Sequence, residues 1–516
     1  MSIGRQGIIM KKIIAVLAML GLIVLVSLHF VSAGVEDATD ATAEIGSIIK
    51  NHMLYIQAEN EKLLGISAKE VAESDFSSFD TSACLLGTDI YDFARSSKVP
   101  SGNNIEGVIS GKENIINTVG GREYDIHSLR GMDGYPEIFA DDTVLKVAAD
   151  ERASFNHAYP EDIPEYQIMK NRKNIYVENI DFNDFYSIKF EYCDNIVFNN
   201  CTFNNFTNSG LVFRGCTNIA VINCTFTNCG NQISDNTNSG YSIRVVGGTD
   251  CPSSGILIEN CTINNSCANA VSFNGFVDNY VVRNNKITDS VWGAITHWSP
   301  VVSGSYVNVI ENNVCKNVGF GKPSVNDMQA LTNGVGCAAI FAGMGTSLQR
   351  SVVKNNIVDN AVETGIEGPY EMVYHNTIKN TGENSSARHT GSTEAIYIKL
   401  ATGFEQKYIC NNVETRGLRC FSSYSDRSDE YMGVYILNNN FSLKDDDETI
   451  TRNYARSDIE INCQKLKKLI ISGNTGMMTD KPSINVYIRD ENYIMDSLVI
   501  DNPCMVGSIP KNVKLS

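Results

Sequence analysis

Asn199-Asn200-Cys201-Thr202-Phe203 is the stretch on which the fold turns, because its core recurs down the chain. Asn179-Ile180-Asp181-Phe182 is an early form. Asn200-Cys201-Thr202-Phe203, Asn223-Cys224-Thr225-Phe226 and Asn260-Cys261-Thr262-Ile263 are the clearest copies. Looser ones begin at Asn284, Asn312, Asn355, His375, Asn411 and Asn438. First positions are separated by 21, 23, 37, 24, 28, 43, 20, 36 and 27 residues. A floor of 20 with longer steps describes a coil of fixed length that carries insertions, the mark of a solenoid.

Short β-rich runs flank each copy. Asn195-Ile196-Val197-Phe198 precedes Asn200, and Gly210-Leu211-Val212-Phe213-Arg214 follows after a polar stretch. Alternation of period two predicts strands with one buried face. Three short strands cannot bury that face alone, so coils must stack in parallel, about 4.8 Å apart. Asn accepts the left-handed backbone that a sharp bend demands. An inward Asn at the same bend in each coil would form a hydrogen-bonded ladder.

On this repeat the chain resembles the right-handed parallel β-helix proteins of the pectate lyase-like superfamily, over roughly residues 165–500. The expected fold is all-β: a right-handed single-stranded parallel β-helix with an N-terminal helical cap. Residues 1–33 read as a signal peptide or an uncleaved anchor, with Lys11-Lys12, an apolar run from Ile13 and Val31-Ser32-Ala33 before Gly34. Residues 34–160 read as the helical cap and an irregular region, the helix carried by Ile45, Ile48, Ile49, Met53 and Leu54. Residues 161–516 are the β-helix. The leader implies a secreted or cell-surface protein.

The net charge of −17 argues against a nucleic-acid partner, because phosphate binding needs a basic surface. No strand–helix glycine loop implies a nucleotide cofactor. Fifteen cysteines in an exported chain would suggest disulfides. Here, however, Cys193 and Cys216 lie one coil apart, as do Cys201 and Cys224, and Cys251 and Cys261 extend the two columns. We therefore expect stacked, reduced thiols rather than bridges or a zinc site.

The long insertions, roughly 227–240, 316–338, 379–394 and 442–457, all fall between the Asn phrase and the next strand. They leave one corner of the solenoid and should wall one face. That face is the strand containing Leu211, Ile243, Phe273, Ile340, Ile366, Ile396, Leu418 and Ile459. The resemblance implies that this strand floors a substrate groove. Counting outward residues gives Arg214, Arg244, Trp298 and Phe341 as substrate contacts, the two aromatics as ring platforms. It also gives a column Glu367–Tyr397–Arg419–Glu460 with Lys399 beside it and His389 in the adjoining insertion.

Such a set suits an acidic polysaccharide. Elimination at a uronate needs a base, a positive charge on the carboxylate and a proton donor for the leaving oxygen. Lys399, Arg419, Tyr397, Glu367 and His389 are residues of those types, so we expect cleavage by β-elimination. Two alternatives stay open: a non-catalytic adhesin or glycan-binding solenoid, and a glycoside hydrolase. Hydrolysis needs two nearby carboxyl groups, and Glu367 and Glu460 would stand roughly 14 Å apart, three strand spacings. The motifs that mark the superfamily's polygalacturonases, alginate epimerases and pectate lyases are absent. No metal ligand set stands out. Asp445-Asp446-Asp447-Glu448 is either a solvated loop or a set of carboxylates of the kind calcium takes. His297 falls inward, as a packed core histidine or in an irregular strand.

Overall fold

The computed structural model describes residues 152–156 and 167–511 apart from 231–239, 303–307, 320–337, 344–347, 383–393, 416–418, 444–456, 480 and 503, together with the strands Ile115–Thr118, Gly121–Asp125 and Val144–Lys146. The leader, the helix expected near 34–65, His389 and the acidic run from Asp445 lie outside these residues. Among the described residues there is no helix.

Each coil contributes three strands. In one coil these are Asp194–Asn199 in sheet A, Thr202–Asn204 in sheet B and Leu211–Arg214 in sheet C. Every strand pairs in parallel with its equivalent one coil on, as in Ile196 with Ile219, Phe203 with Phe226 and Leu211 with Ile243. Sheet B has 13 strands, of which only the first pair, Ile115–Thr118 with Gly121–Asp125, is antiparallel. Parallel crossovers are right-handed, so the chain winds as a right-handed parallel β-helix. The stack already includes Val144–Lys146 and Ala153–Asn156, which pair with the strands beginning at Lys173 and Ile180. It therefore starts ahead of residue 161.

The bend between sheets A and B shows why the Asn phrase recurs. Asn179, Asn200, Asn223, Asn260, Asn284, Asn312, Asn355 and Asn438 all have φ near +55°, with His375 and Cys410 at the same place. The first Asn of each phrase is thus the left-handed residue, and it is not the inward one. The buried ladder is the residue after it. Asn411 belongs to that second column, so the first position of its coil is Cys410.

The inward column runs Cys201, Cys224, Cys261, Asn285, Asn313, Asn356, Asn376, Asn411, Asn439, Asn474 and Asn502. In each buried Asn, Nδ2 donates to a carbonyl of the coil before and to Oδ1 of the next Asn. Asn356, for example, donates to Ile310 O at 2.9 Å and to Asn376 Oδ1 at 3.0 Å. Its own Oδ1 accepts from the backbone N and the Nδ2 of Asn313, at 3.0 and 2.9 Å. Every polar atom of the buried amide is satisfied, as burial requires.

Thiols do the same work at lower strength in the first coils. Cys201 N donates to Cys224 Sγ at 3.4 Å, and Cys193 N to Cys216 Sγ at 3.5 Å. Cys261 continues the first column. Cys251 does not continue the second, because Ser253 Oγ takes that place and accepts from Cys216 N at 3.1 Å. All thirteen described cysteines are free. Burial pushes the Cys224 and Cys315 thiols up, the latter to about 12, which keeps them protonated and inert. Alkylation of the denatured, unreduced protein should count at least these thirteen thiols; a count below ten would mean that the columns are bridged.

The interior between the sheets is apolar. Phe155, Phe182, Phe203 and Phe226 stack along sheet B with ring centroids 5.6, 5.2 and 4.5 Å apart. Such pairs add roughly 0.5–1.5 kcal/mol each beyond area burial.

Candidate functional site

The described ends of the four insertions all lie between a sheet B strand and the next sheet C strand: Thr225–Cys229, Val314–Val318, Thr377–Thr381 and Asn440–Leu443 each precede one. They do leave one corner, beside sheet C. At that corner the inward–outward alternation breaks. Ala395 and Ile396 both belong to the core, as do Cys420 and Phe421. Two consecutive inward residues mark a bend, so the residues on either side, Glu394 and Tyr397, fall on the outer side.

This bend changes the register of the expected column. Phe341 pairs with Glu367, and Glu367 with Tyr397, as expected. Tyr397 then pairs with Ser422, and Ser422 with Glu460. Arg419 lies three residues earlier and pairs with Glu394. Phe421 is the inward residue that pairs with Ile396 and Ile459, three places beyond the Leu418 that the repeat count selects. On the next coil Asn485 pairs with Glu460.

Two ion-paired groups result. Lys399 Nζ meets Glu367 Oε1 at 2.7 Å, donates to Ala342 O at 3.0 Å and lies 4.2 Å over the Phe341 ring. Arg419 donates through Nε to Glu460 Oε2 at 3.0 Å and through Nη1 to Glu394 Oε1 at 3.4 Å. Neither cation is an exposed, uncommitted side chain: Arg419 as a residue is 9% accessible, and the Lys399 side chain 15%. Both had been expected to project freely. Phe341 is buried between Trp298, with centroids 4.5 Å apart, and the Lys399 ammonium. It is packing, and no open platform. Trp298 pairs with Asn274, two residues along the strand from the Phe341 column.

Glu394 is the residue that sequence reasoning missed. It is 1% accessible, and among the described residues its Oε2 has no hydrogen-bond partner within bonding distance. Burial pushes its carboxyl up to about 7, against the opposing pull of Arg419. The fold thus prefers the protonated form. That contribution is complete below about pH 4.5, the unfolded value, and is lost as pH rises through about 7. Glu394→Gln should therefore gain stability relative to the parent between those limits. Melting temperatures of both proteins across the range test this, and a constant difference would mean that Glu394 ionises freely.

A groove of about 580 Å³ opens on the far side of Tyr397, lined by Glu367, Tyr397, Lys399, Tyr424, Arg427 and Tyr431 among others. It lies toward the connections from sheet C to sheet A, and neither Arg419 nor the Trp298–Phe341 pair lines it. Burial pushes the Tyr397 hydroxyl up to about 12, and it donates to Tyr424 O at 3.2 Å. His297 is a core histidine. Its ring contacts Gly275 O at 3.1 Å and Tyr280 Oη at 3.4 Å, and burial lowers its pKa to about 4. Arg214 and Arg244 stand on earlier coils of the same sheet, well away from this groove.

No protein-family model matches the sequence, and no curated protein matches it. Among solved structures, the chain is similar to a catalytic domain of a GH87 α-1,3-glucanase in complex with tetrasaccharides, at TM-score 0.39 and 15% identity, over 63% of this chain and 57% of that one. It is also similar to a tailspike protein from a Pseudomonas phage, at 0.36 and 9%, over 68% and 52%. A third is a periplasmic alginate epimerase, at 0.32 and 10%, over 71% and 84%. The chain spans little more than half the length of the first two. By its own three-sheet topology, the chain is a right-handed parallel β-helix.

Proposed function

We propose that the outer face of sheet C binds a polysaccharide and cleaves it by acid–base hydrolysis, with Glu394 as the acid and Glu460 as the carboxylate partner. The observation that carries this reading is the pair of carboxyl groups on Arg419. Glu394 keeps its proton up to about pH 7. Contacts of 3.4 and 3.0 Å to one planar guanidinium hold the two bonded oxygens no more than roughly 9 Å apart, not beyond the upper limit of the span that glycoside hydrolysis uses. A buried acid beside a more exposed carboxyl group is how one site keeps two carboxyl groups in different roles.

Elimination is less well supported. It needs a cation for the substrate carboxylate, and Lys399 and Arg419 already serve Glu367, Glu394 and Glu460. Because Glu394 is buried, a bound sugar must reach its carboxyl for the chemistry to proceed. That same burial favours, as the second reading, a solenoid that binds glycan without cleaving it.

The test is a panel of neutral and uronate polysaccharides followed by two readouts, new reducing ends and ultraviolet absorbance of an unsaturated product. Hydrolysis gives the first without the second. Both together would restore elimination. Binding without either leaves the non-catalytic solenoid.

A further inference from the structure

The charge on the outer face of sheet C is sorted along the solenoid. The strands Gln167–Lys170, Ile188–Glu191, Leu211–Arg214 and Ile243–Gly247 carry Lys170, Lys189, Arg214 and Arg244 against one acid, Glu191. The next three stretches, residues 271–276, Ile295–Val301 and Ile340–Ala342, carry no Asp, Glu, Lys or Arg. Beyond them, Glu367, Glu394 and Glu460 outnumber Lys399 and Arg419. A basic end is unexpected in a chain of net charge −17.

At that end three cations converge on Glu191. Lys189 Nζ lies 2.7 Å from its carboxylate, Lys170 Nζ 3.3 Å and Arg214 Nη1 4.0 Å. Burial pushes the Glu191 carboxyl up, but the hydrogen bonds and charge of Lys189 and Lys170 outweigh it and hold it below its usual value. One carboxylate thus faces three cations among the described residues. Lys170 pairs with Glu191 and Glu191 with Arg214, so the two outer cations stand two strands apart, about 10 Å. Arg244 follows on the next coil, its guanidinium 4.7 Å over the Tyr241 ring. About half of the Lys170 and Arg214 side chains stays open to solvent.

We propose that Lys170, Lys189, Arg214 and Arg244 form an anion-binding subsite that takes carboxylate or sulfate groups of an acidic polysaccharide. The proposal rests on sheet C being the glycan-binding face and adds the substrate class. Six coils, about 29 Å, separate the Glu191 strand from the Glu367 strand. The ligand is accordingly a polymer held at its charged groups far from the carboxyl pair.

Affinity electrophoresis tests this with polygalacturonate, dextran sulfate or neutral dextran in the gel. The full chain should be retarded by one or both acidic polymers, with the carboxylate and sulfate arms naming the group, and added salt should release it. The double variant Lys170→Gln, Arg214→Gln removes two half-exposed charges and leaves Lys189 on Glu191. It should weaken that retention about tenfold or more, with the folded circular dichroism spectrum kept and unchanged behaviour in dextran. Glu394→Gln should leave retention intact, so loss of cleavage and loss of this subsite are read separately. No retention by either acidic polymer would overturn the proposal, as would equal retention of the double variant. So would equal retardation by single-stranded DNA lost in the same variant, because the surface would then be a general polyanion site.

Discussion

Glu394→Gln is expected to lower the release of reducing ends by about 10²–10⁴-fold, the usual contribution of a positioned acid. The substitution keeps shape and burial and removes only the transferable proton. It preserves an acceptor for Arg419 Nη1, so the 3.4 Å contact and the Glu460 pair at 3.0 Å have no reason to break. In the parent, a group with a pKa of about 7 acting as an acid predicts a rate that falls as pH rises above that value. Wild-type turnover in the variant would sink the assignment. Arg419→Ala is less clean: it leaves Glu460 without its partner, and the lost charge would push Glu394 further up. Loss of activity there would therefore not separate chemistry from structure.

Asn356→Ala is expected to cost about 3 kcal/mol or more. The buried amide accepts from Asn313 N and Nδ2 and donates to Ile310 O and Asn376 Oδ1. Removing it orphans two donors and a carbonyl in the interior, at roughly 1–3 kcal/mol for each unsatisfied group, with some relief by rearrangement. Asn355→Ala is the matched control. Its side chain is exposed, and only the left-handed backbone, φ +54°, is at stake, a cost of about 1–2 kcal/mol that Gly would largely remove. Denaturation midpoints of the three variants should rank Asn356→Ala well below Asn355→Ala, with Asn355→Gly near the parent. Equal losses at the two positions would overturn the division of labour between bend and ladder.

That division is also where sequence reading stopped. The Asn phrase located the bends from Asn179 to Asn438, missed those before Asn474 and Asn502, and put its first Asn on the inward ladder, because left-handed geometry and amide stacking both favour Asn. At Cys410-Asn411-Asn412 the two roles fall on different residue types, and counting from the first Asn shifted the coil by one. Alternation identified Glu367, Tyr397 and Lys399 on one outer face because it holds from Ile396 onward, past the break at Ala395. It misplaced Arg419 because Cys420 and Phe421 are both inward, and a period of two cannot count through such a corner. Glu394 was invisible for the same reason: it stands at the end of an insertion, before any alternation begins. Its partner Arg419 was found as a type of residue, and only the fold supplied the contact.

The three uncharged coils of sheet C act as a ruler. Neighbouring coils meet through the same Asn-to-Asn joint, from Asn285 to Asn313 to Asn356. Excising the chain from Asn313 to Asn355 would bring Asn285 directly onto Asn356 and restore an equivalent joint. The distance between the basic strands and the carboxyl pair would shorten by one rung, about 4.8 Å, with both ends chemically untouched. The reach of this molecule along a polymer is thus an integer, the number of rungs, and it can be edited one rung at a time.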